Sequence, residues 1–161
     1  MGRAMSIVIR AFQPSDLGEI KRITVEVFDG VAFDKLVETR WGILNGHDWR
    51  WRKARHLDDD IAANASGVFV AEENGKILGC ITTQMDRASG KGRIPNIAII
   101  AEARGKGLGK RLIQHALDYF RREGMAYAMI ETMAGNEVGE HLYPACGFVE
   151  IGRQIHYGTR L

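Results

Sequence analysis

The chain has 161 residues, 45% apolar and 26% charged, a composition ordinary for a folded globular protein that excludes a largely disordered one. Lys and Arg number 22 against 20 Asp and Glu, so the formal charge is +2, which gives no support for a long nucleic-acid-tracking surface and leaves room only for a local basic patch. The longest unbroken apolar run, Met125 to Ile130, is six residues, against the roughly 20 that span a bilayer.

The opening Met1-Gly2-Arg3-Ala4-Met5 has no apolar segment behind it and does not read as a secretory signal. Ser6 to Phe12 alternates as a strand does, with Ile7 and Ile9 on one face. Pro14-Ser15-Asp16 then opens a helix in which Leu17, Ile20, Ile23, Val27 and Phe28 recur at three- and four-residue spacing, and Asp29-Gly30 ends it. From about Phe33 to Ala65 a second helical region is polar and weakly periodic. Within it, Trp49-Arg50-Trp51-Arg52-Lys53-Ala54-Arg55-His56 meets Asp58-Asp59-Asp60. That stretch reads as a solvated helix face with Arg55–Asp59 and His56–Asp60 pairs; an acidic partner or nucleic acid is the alternative.

Val68 to Glu72 and Ile77 to Thr83 are short apolar runs joined through Asn74-Gly75, a hairpin signal because both residues tolerate positive φ. Gly90 and Gly92 mark a further turn, and a strand ends at Ile97-Ala98-Ile99-Ile100. A helix follows from about Gly107 to Glu123, its apolar stripe formed by Leu108, Leu112, Ile113, Ala116, Leu117 and Phe120, with Gly124 as cap. Tyr127 to Glu131 reads as a strand, Asn136 to about Ala145 as a short helix ending near Tyr143 because of Pro144, and Phe148 to Arg160 as one or two closing strands. With no repeat, no low-complexity linker and three scattered prolines, residues 1–161 read as one domain. The expected fold class is α/β (α+β), with a mixed sheet and helices on both faces.

Cys80 and Cys146 sit in unrelated settings without a CxxC or a Cys/His cluster, so both read as reduced thiols, with a cytoplasmic address as the expectation and no metal site. The chemistry concentrates between Ile97 and Lys110, where a buried strand runs into a glycine-rich turn that opens a helix. Glycines let successive N–H groups face one concavity, and free N–H groups at a helix start favour an anion; Lys106, Lys110 and Arg111 add charge there. Pyrophosphate fits such a turn, and tight packing alone is the alternative. A P-loop is excluded because Arg104 stands at the first glycine and Arg111 follows Lys110. A dinucleotide GxGxxG from Gly105 fails at Lys110.

Arg104, Gly107 and Gly109 match the Arg/Gln-x-x-Gly-x-Gly/Ala acyl-CoA loop of the GCN5-related N-acetyltransferase (GNAT) superfamily, which the chain resembles. Asn136, Leu142-Tyr143 and Gly147-Phe148 match that family's next helix. The resemblance covers nearly the whole chain and is strongest over residues 94–150. Gly139 departs from it, standing where the family usually has alanine, a loss of about 1 kcal/mol in an exposed helix.

The resemblance implies a GNAT-like fold with a central, mostly antiparallel sheet, and acetyl-CoA-dependent N-acetyl transfer to a primary amine, direct and within one ternary complex. Acetyl-CoA is then the co-substrate and no metal takes part. The backbone of Ile97, Ala98 and Ile99 corresponds to the residues that hold the acyl carbonyl and pantetheine arm. Arg104, Gly105, Lys106, Gly107, Leu108, Gly109 and Lys110 correspond to the pyrophosphate loop, and Asn136 to a coenzyme contact. Tyr143 corresponds to the tyrosine that often protonates the departing thiolate; a core-packing residue with its hydroxyl at the surface is the alternative. Glu131 matches the general base of the ribosomal-protein N-terminal acetyltransferase branch, to which the chain is more weakly similar; a solvated strand end or an ion-pair partner is the alternative. Against this enzyme stand another acyl-CoA or a small-molecule amine as substrate, and a non-catalytic acyl-CoA-responsive binding module. A protein N-terminus, a lysine or a small amine all stay open as acceptors, as does a homodimer. Acceptor recognition falls on Phe28–Gly46 and the loops near Arg153–Tyr157.

Overall fold

The structure is a computed structural model and describes residues 6–161; the Met1–Met5 stretch read above for a leader lies outside them. In chain order the elements are β1 (Val8–Ala11), α1 (Leu17–Val27), α2 (Phe33–Trp41), α3 (Trp49–Asn64), β2 (Phe69–Glu73), β3 (Lys76–Ile81), β4 (Gln84–Asp86), β5 (Lys91–Ile94), β6 (Ile97–Ile99), α4 (Leu108–Arg122), β7 (Tyr127–Ile130) and α5 (Glu137–Ala145). The β2–β3 turn is made by Asn74 and Gly75, with φ of 51° and 78°, the hairpin conformation that Asn-Gly favours. Gly124 caps α4 at φ 78°.

The strands form two sheets, an antiparallel one in the order β1-β2-β3-β6 and a mixed one in the order β4-β5-β7, in which β5 and β7 run parallel. Chain continuity joins them, since β3 leads into β4 and β5 into β6. Ile97 sits opposite Ile81 and Arg93 opposite Gln84, so a step of three residues on one strand faces a step of four on its partner. The extra residue is a β-bulge at Pro95, which has no N–H to give the ladder. Before the bulge β5 pairs with β7 as far as Ile94 opposite Ile130. After it β6 pairs, among the described residues, with β3 alone, so the two sheets part there as a fork.

The bulge also changes which residues face which helices. Cys80 meets Thr24 of α1 at 3.8 Å, and Asn96 bonds Lys53 of α3, so that parity of β3 and β6 faces α1 and α3. Ile99 packs at Gly109 of α4 on the opposite face. In β5 the parity is reversed, because a side chain at Gly92 would meet the Phe120 ring of α4 at 2.7 Å. Helices therefore cover both faces, around a core that includes Ile20, Ile23, Leu57, Val70, Ile81, Leu112, Ile113 and Phe120.

Four local readings are corrected. The helical region from Phe33 is two helices, parted at Gly42 to His47, where Gly42 and Gly46 take φ of 73° and 72°. Gly92 lies within β5 and not in a turn, because the Phe120 ring fills the space a side chain would need. α5 continues to Ala145 through Pro144, since a proline at the C-terminal end removes only one hydrogen bond. Residues 149–161 form no strand and are exposed throughout. Their alternating Val149, Ile151, Ile155 and Tyr157 read as a strand, but among the described residues no neighbouring strand supplies backbone partners. The tail instead contacts α2: the His156 ring lies 4.7 Å from that of Phe33, and Gly158 abuts Trp41.

Candidate active site

The glycine-rich turn leaves β6 through Ala101–Ala103 and enters α4 at Gly107. Gly105 and Gly107 hold φ of 75° and 76°, a conformation strained for any residue with a side chain, and nothing lies within 4 Å of where their Cβ atoms would stand. Gly109 is different. A side chain there would meet Leu142 of α5 at 3.1 Å and Ile99 at 3.2 Å, so this glycine brings the start of α4 against β6 and α5. The first bond of the helix is Arg111 N–H to the Gly107 carbonyl at 3.1 Å, which leaves the N–H groups of Leu108, Gly109 and Lys110 without helical acceptors. Arg104, Lys106 and Lys110 are exposed around this end. Arg104 also donates to the Ile99 carbonyl at 3.3 Å, tying the loop to β6.

β6 is an edge strand whose Ile97–Ile99 backbone has β3 on one side and no strand on the other among the described residues. Leu142 of α5 meets Gly109 beside Ile99, and Tyr143 follows it in the same helical turn. The Tyr143 ring packs on Phe148 at 6.3 Å and would collide at 2.8 Å with a side chain at position 139. Gly139, out of place by helix propensity, is thus the space in which that ring lies. Burial, with Cys146 beside it, raises the phenol above its ordinary value. The Cys146 thiol is likewise raised by burial and drawn down by Lys110, so α5 and the start of α4 share one electrostatic neighbourhood. Asn136 caps α5: its Oδ1 accepts from Gly139 N–H at 3.5 Å and its Nδ2 donates to Thr132 at 2.8 Å.

Glu131 stands just beyond β7, about half exposed, and Arg93 of β5 donates to both its oxygens at 3.1 and 2.9 Å. The ion-pair reading of this glutamate therefore holds as geometry, and any base role coexists with that clamp. Arg93 also donates to Gln84 Oε1 at 3.2 Å, and Gln84 Nε2 donates to Asp60 Oδ1 at 3.0 Å. Asp60 accepts further from Thr82 at 2.7 Å and from Asn96 Nδ2 at 2.6 Å, and Lys53 donates to Asn96 Oδ1 at 2.6 Å. Lys53 is 6% exposed, and its ammonium lies 3.7 Å from the Phe28 ring centroid.

This network overturns the reading of α3 as a solvated face. Trp49, Lys53, Leu57 and Asp60 form its buried stripe, His56 pairs with Asp34 at 3.2 Å, and Asp60 is committed to the strands. His115 packs edge-on against Phe69 at 4.4 Å. Arg93, Asn96, Lys53, Asp60 and Gln84 are the site's neighbours that the sequence reading passed over. The signal for two of them was a 4-4-3 spacing from Trp49 to Asp60, hidden because Lys and Asp were counted as outward-facing. Among the described residues no group of three or more His, Cys, Asp or Glu is placed to hold a metal ion, and no helix is long and apolar enough to cross a membrane.

The buried groups make stability depend on alkaline pH. Burial lowers Lys53 from 10.5 to about 8, against Asp34, Asp60 and Cys80, which raise it. Between those values the unfolded chain keeps a proton that the folded chain has lost, so stability rises with pH as a penalty of a few kcal/mol is relieved. Burial raises Cys80 from 9.0 to about 11, so between those values the unfolded chain has lost a proton the folded chain keeps, and stability falls. The urea midpoint is expected to rise from pH 8 to 9 and then level off. In Cys80→Ala the rise continues to about pH 10.5, whereas a wild-type midpoint that falls from pH 8 contradicts the Lys53 assignment.

Comparison with known proteins agrees with this architecture. The model of the acetyltransferase (GNAT) family matches residues 32–148. The chain is 32% identical over 94 residues to the [ribosomal protein bS18]-alanine N-acetyltransferase of Escherichia coli, covering 56% of this chain and 61% of that protein. It is 30% identical over 158 residues to the mycothiol acetyltransferase of Streptomyces griseus, covering 93% of this chain and 52% of that one. It spans from about a third to about three fifths of the length of the curated relatives it first matches. A crystal structure of aminoglycoside N-acetyltransferase AAC(6')-Iy with CoA superposes with a TM-score of 0.73 at 17% identity, over 100% of this chain and 99% of that one. Sequence and fold agree: the chain belongs to the acetyltransferase (GNAT) family.

Proposed function

We propose that the chain transfers the acetyl group of acetyl-CoA to a primary amine, directly and within one ternary complex. The observation that carries this reading is the pair of left-handed glycines, Gly105 and Gly107, which leave the first N–H groups of a 15-residue helix free beside the unpaired edge of β6. In this reading the backbone of Gly105 to Lys110 and the Arg104 and Lys106 charges hold the pyrophosphate. The backbone of Ile97, Ala98 and Ile99 holds the pantetheine arm and acyl carbonyl as an added strand would be held. Asn136 contacts the same arm while capping α5.

The amine nitrogen attacks the acetyl carbon, a C–N bond forms, and the electron pair of the breaking C–S bond leaves on sulfur. Tyr143 donates its proton to that sulfur, and the proton lost from the amine passes to Glu131 directly or through water. The developing oxyanion is met by backbone N–H groups of β6. Residues 1–161 act in this reading as one N-acetyltransferase domain. The preferred acceptor is a peptide α-amine, supported by the likeness to the bS18-alanine enzyme; a small amine is supported by the likeness to the mycothiol enzyme, which covers more of the chain.

Calorimetry and melting curves with acetyl-CoA test the reading first. A dissociation constant from low micromolar to submillimolar and a rise in melting temperature are expected by mass action. Thiol release is then followed with a peptide bearing a free N-terminal alanine, with spermidine and with glucosamine. Unchanged melting at millimolar acetyl-CoA, with no heat of binding, overturns the assignment. Binding without turnover by any amine favours a binding module.

A further inference from the structure

Resting on that reading, a chain of side chains, buried at Lys53, Asn96 and Asp60 and open to solvent at its Arg93–Glu131 end, ties the middle of α3 to the Glu131 carboxylate. It begins at Lys53, which donates to Asn96 Oδ1, and runs from Asn96 Nδ2 to Asp60, from Asp60 to Gln84, and from Gln84 to Arg93 and Glu131. Its charged members alternate in sign. The links cross the fork at the two places where one sheet passes into the other. Asn96 sits at the Pro95 bulge, where its N–H donates to Thr82 Oγ1 at 3.1 Å and its carbonyl accepts from Thr82 N–H at 2.9 Å. All the polar groups of Asn96 are thus committed. Only one amide orientation satisfies them, oxygen toward the ammonium and nitrogen toward the carboxylate.

A lysine is a costly way to stabilise such a position. Burial of the ammonium opposes folding, and replacing buried charges with apolar groups of similar volume is often neutral or stabilising. What the amine supplies is orientation of the Asn96 amide. With Lys53 gone, Asn96 Oδ1 is buried without a donor, the amide is free to rotate, and Asp60 no longer holds Gln84 and the bulge in fixed relation. The charged and titratable groups facing Lys53 are Asp34 on α2, His56 and Asp60 on α3, and Cys80 on β3.

We propose that Lys53 is a positioning residue for acetyl transfer, anchoring the chain Asn96–Asp60–Gln84–Arg93 that fixes the Glu131 carboxylate. It touches no reacting atom in this scheme. Its effect falls on kcat, and it is coupled to Glu131.

The test is a mutant cycle in the whole chain. Lys53→Met and Gln84→Leu are each combined with Glu131→Gln, with thiol release measured on the alanine peptide, spermidine and glucosamine. Each single substitution is expected to lower kcat about tenfold and leave the acetyl-CoA dissociation constant within about twofold, and each double variant to be no slower than Glu131→Gln alone. Losses that multiply, or single variants that turn over as the wild type does, overturn the proposal. If Lys53→Met does not fold, Gln84→Leu, which removes a half-buried uncharged link, decides alone. Absence of wild-type turnover with all three amines counts against the reaction and not against the chain. The Nε–H resonance of Arg93 then decides: slow exchange in the wild type that is lost in Gln84→Leu supports the chain, and an unchanged resonance overturns it.

Discussion

Tyr143→Phe is expected to lower kcat by about 10²-fold while acetyl-CoA affinity stays within about twofold. The substitution keeps the ring that packs on Phe148 and lies against Gly139, and deletes only the hydroxyl. No hydrogen bond to that hydroxyl comes from any described residue, so the O–H is free for a ligand atom. Burial and the neighbouring Cys146 raise the phenol, which keeps it protonated at neutral pH. The same shift makes complete transfer to a thiolate uphill, since an ordinary phenol titrates near 10 and a thiol near 8.5. Partial transfer in the transition state still lowers the barrier, and water is the weaker substitute when the hydroxyl is gone. A purely packing tyrosine gives the opposite pattern, with normal kcat in Phe and damage only in Tyr143→Ala, where loss of the partly buried ring costs about 1–3 kcal/mol. With chemistry rate-limiting, a Phe variant within about threefold of wild type refutes the acid role.

The helix start at Leu108, the Asn74-Gly75 hairpin and the strand at Tyr127 were legible because glycine conformation and apolar periodicity are local properties. The geometry of the candidate site was legible to the same extent, in the loop glycines and in the Leu142-Tyr143 pair that α5 brings beside them. What escaped depends on partners distant in sequence. Gly92 gives a turn signal by composition, but its lack of a side chain answers Phe120, which arrives from α4. Lys53 and Asp60 give a surface signal by charge, but they are buried because Asn96, Thr82 and Gln84 meet them from strands that follow later in the chain. The tail from Val149 alternates like a strand, but alternation describes a face and not a hydrogen-bonding partner. The bulge at Pro95 was invisible for the same reason, since only pairing with both Ile81 and Gln84 reveals the extra residue.

Gly107→Val is expected to weaken acetyl-CoA binding about 100-fold while the melting temperature falls by only a few degrees. At φ 76° a residue with a side chain is strained by roughly 1–2 kcal/mol, and a β-branched one has the fewest ways to relax. A strain of that size moves the melting point of a chain this long by about 2–8 °C. Open space surrounds the missing Cβ, so the folded core takes no collision. The loop relieves the strain by rotating the peptide before Leu108, and the N–H groups of Leu108, Gly109 and Lys110 then no longer converge. In the proposed complex the added isopropyl group also stands where pyrophosphate approaches. The control is Gly109→Val, two residues on. There φ is helical, but the new side chain meets Leu142 at 3.1 Å and Ile99 at 3.2 Å, which separates α4 from α5 and β6. Overpacking of this kind costs about 1–3 kcal/mol, so that variant loses stability as well as affinity. Position 107 is thus read mainly in affinity and position 109 in both. A Gly107→Val protein that melts near wild type and binds acetyl-CoA normally removes the phosphate site from this loop, and with it the observation on which the proposed reaction rests.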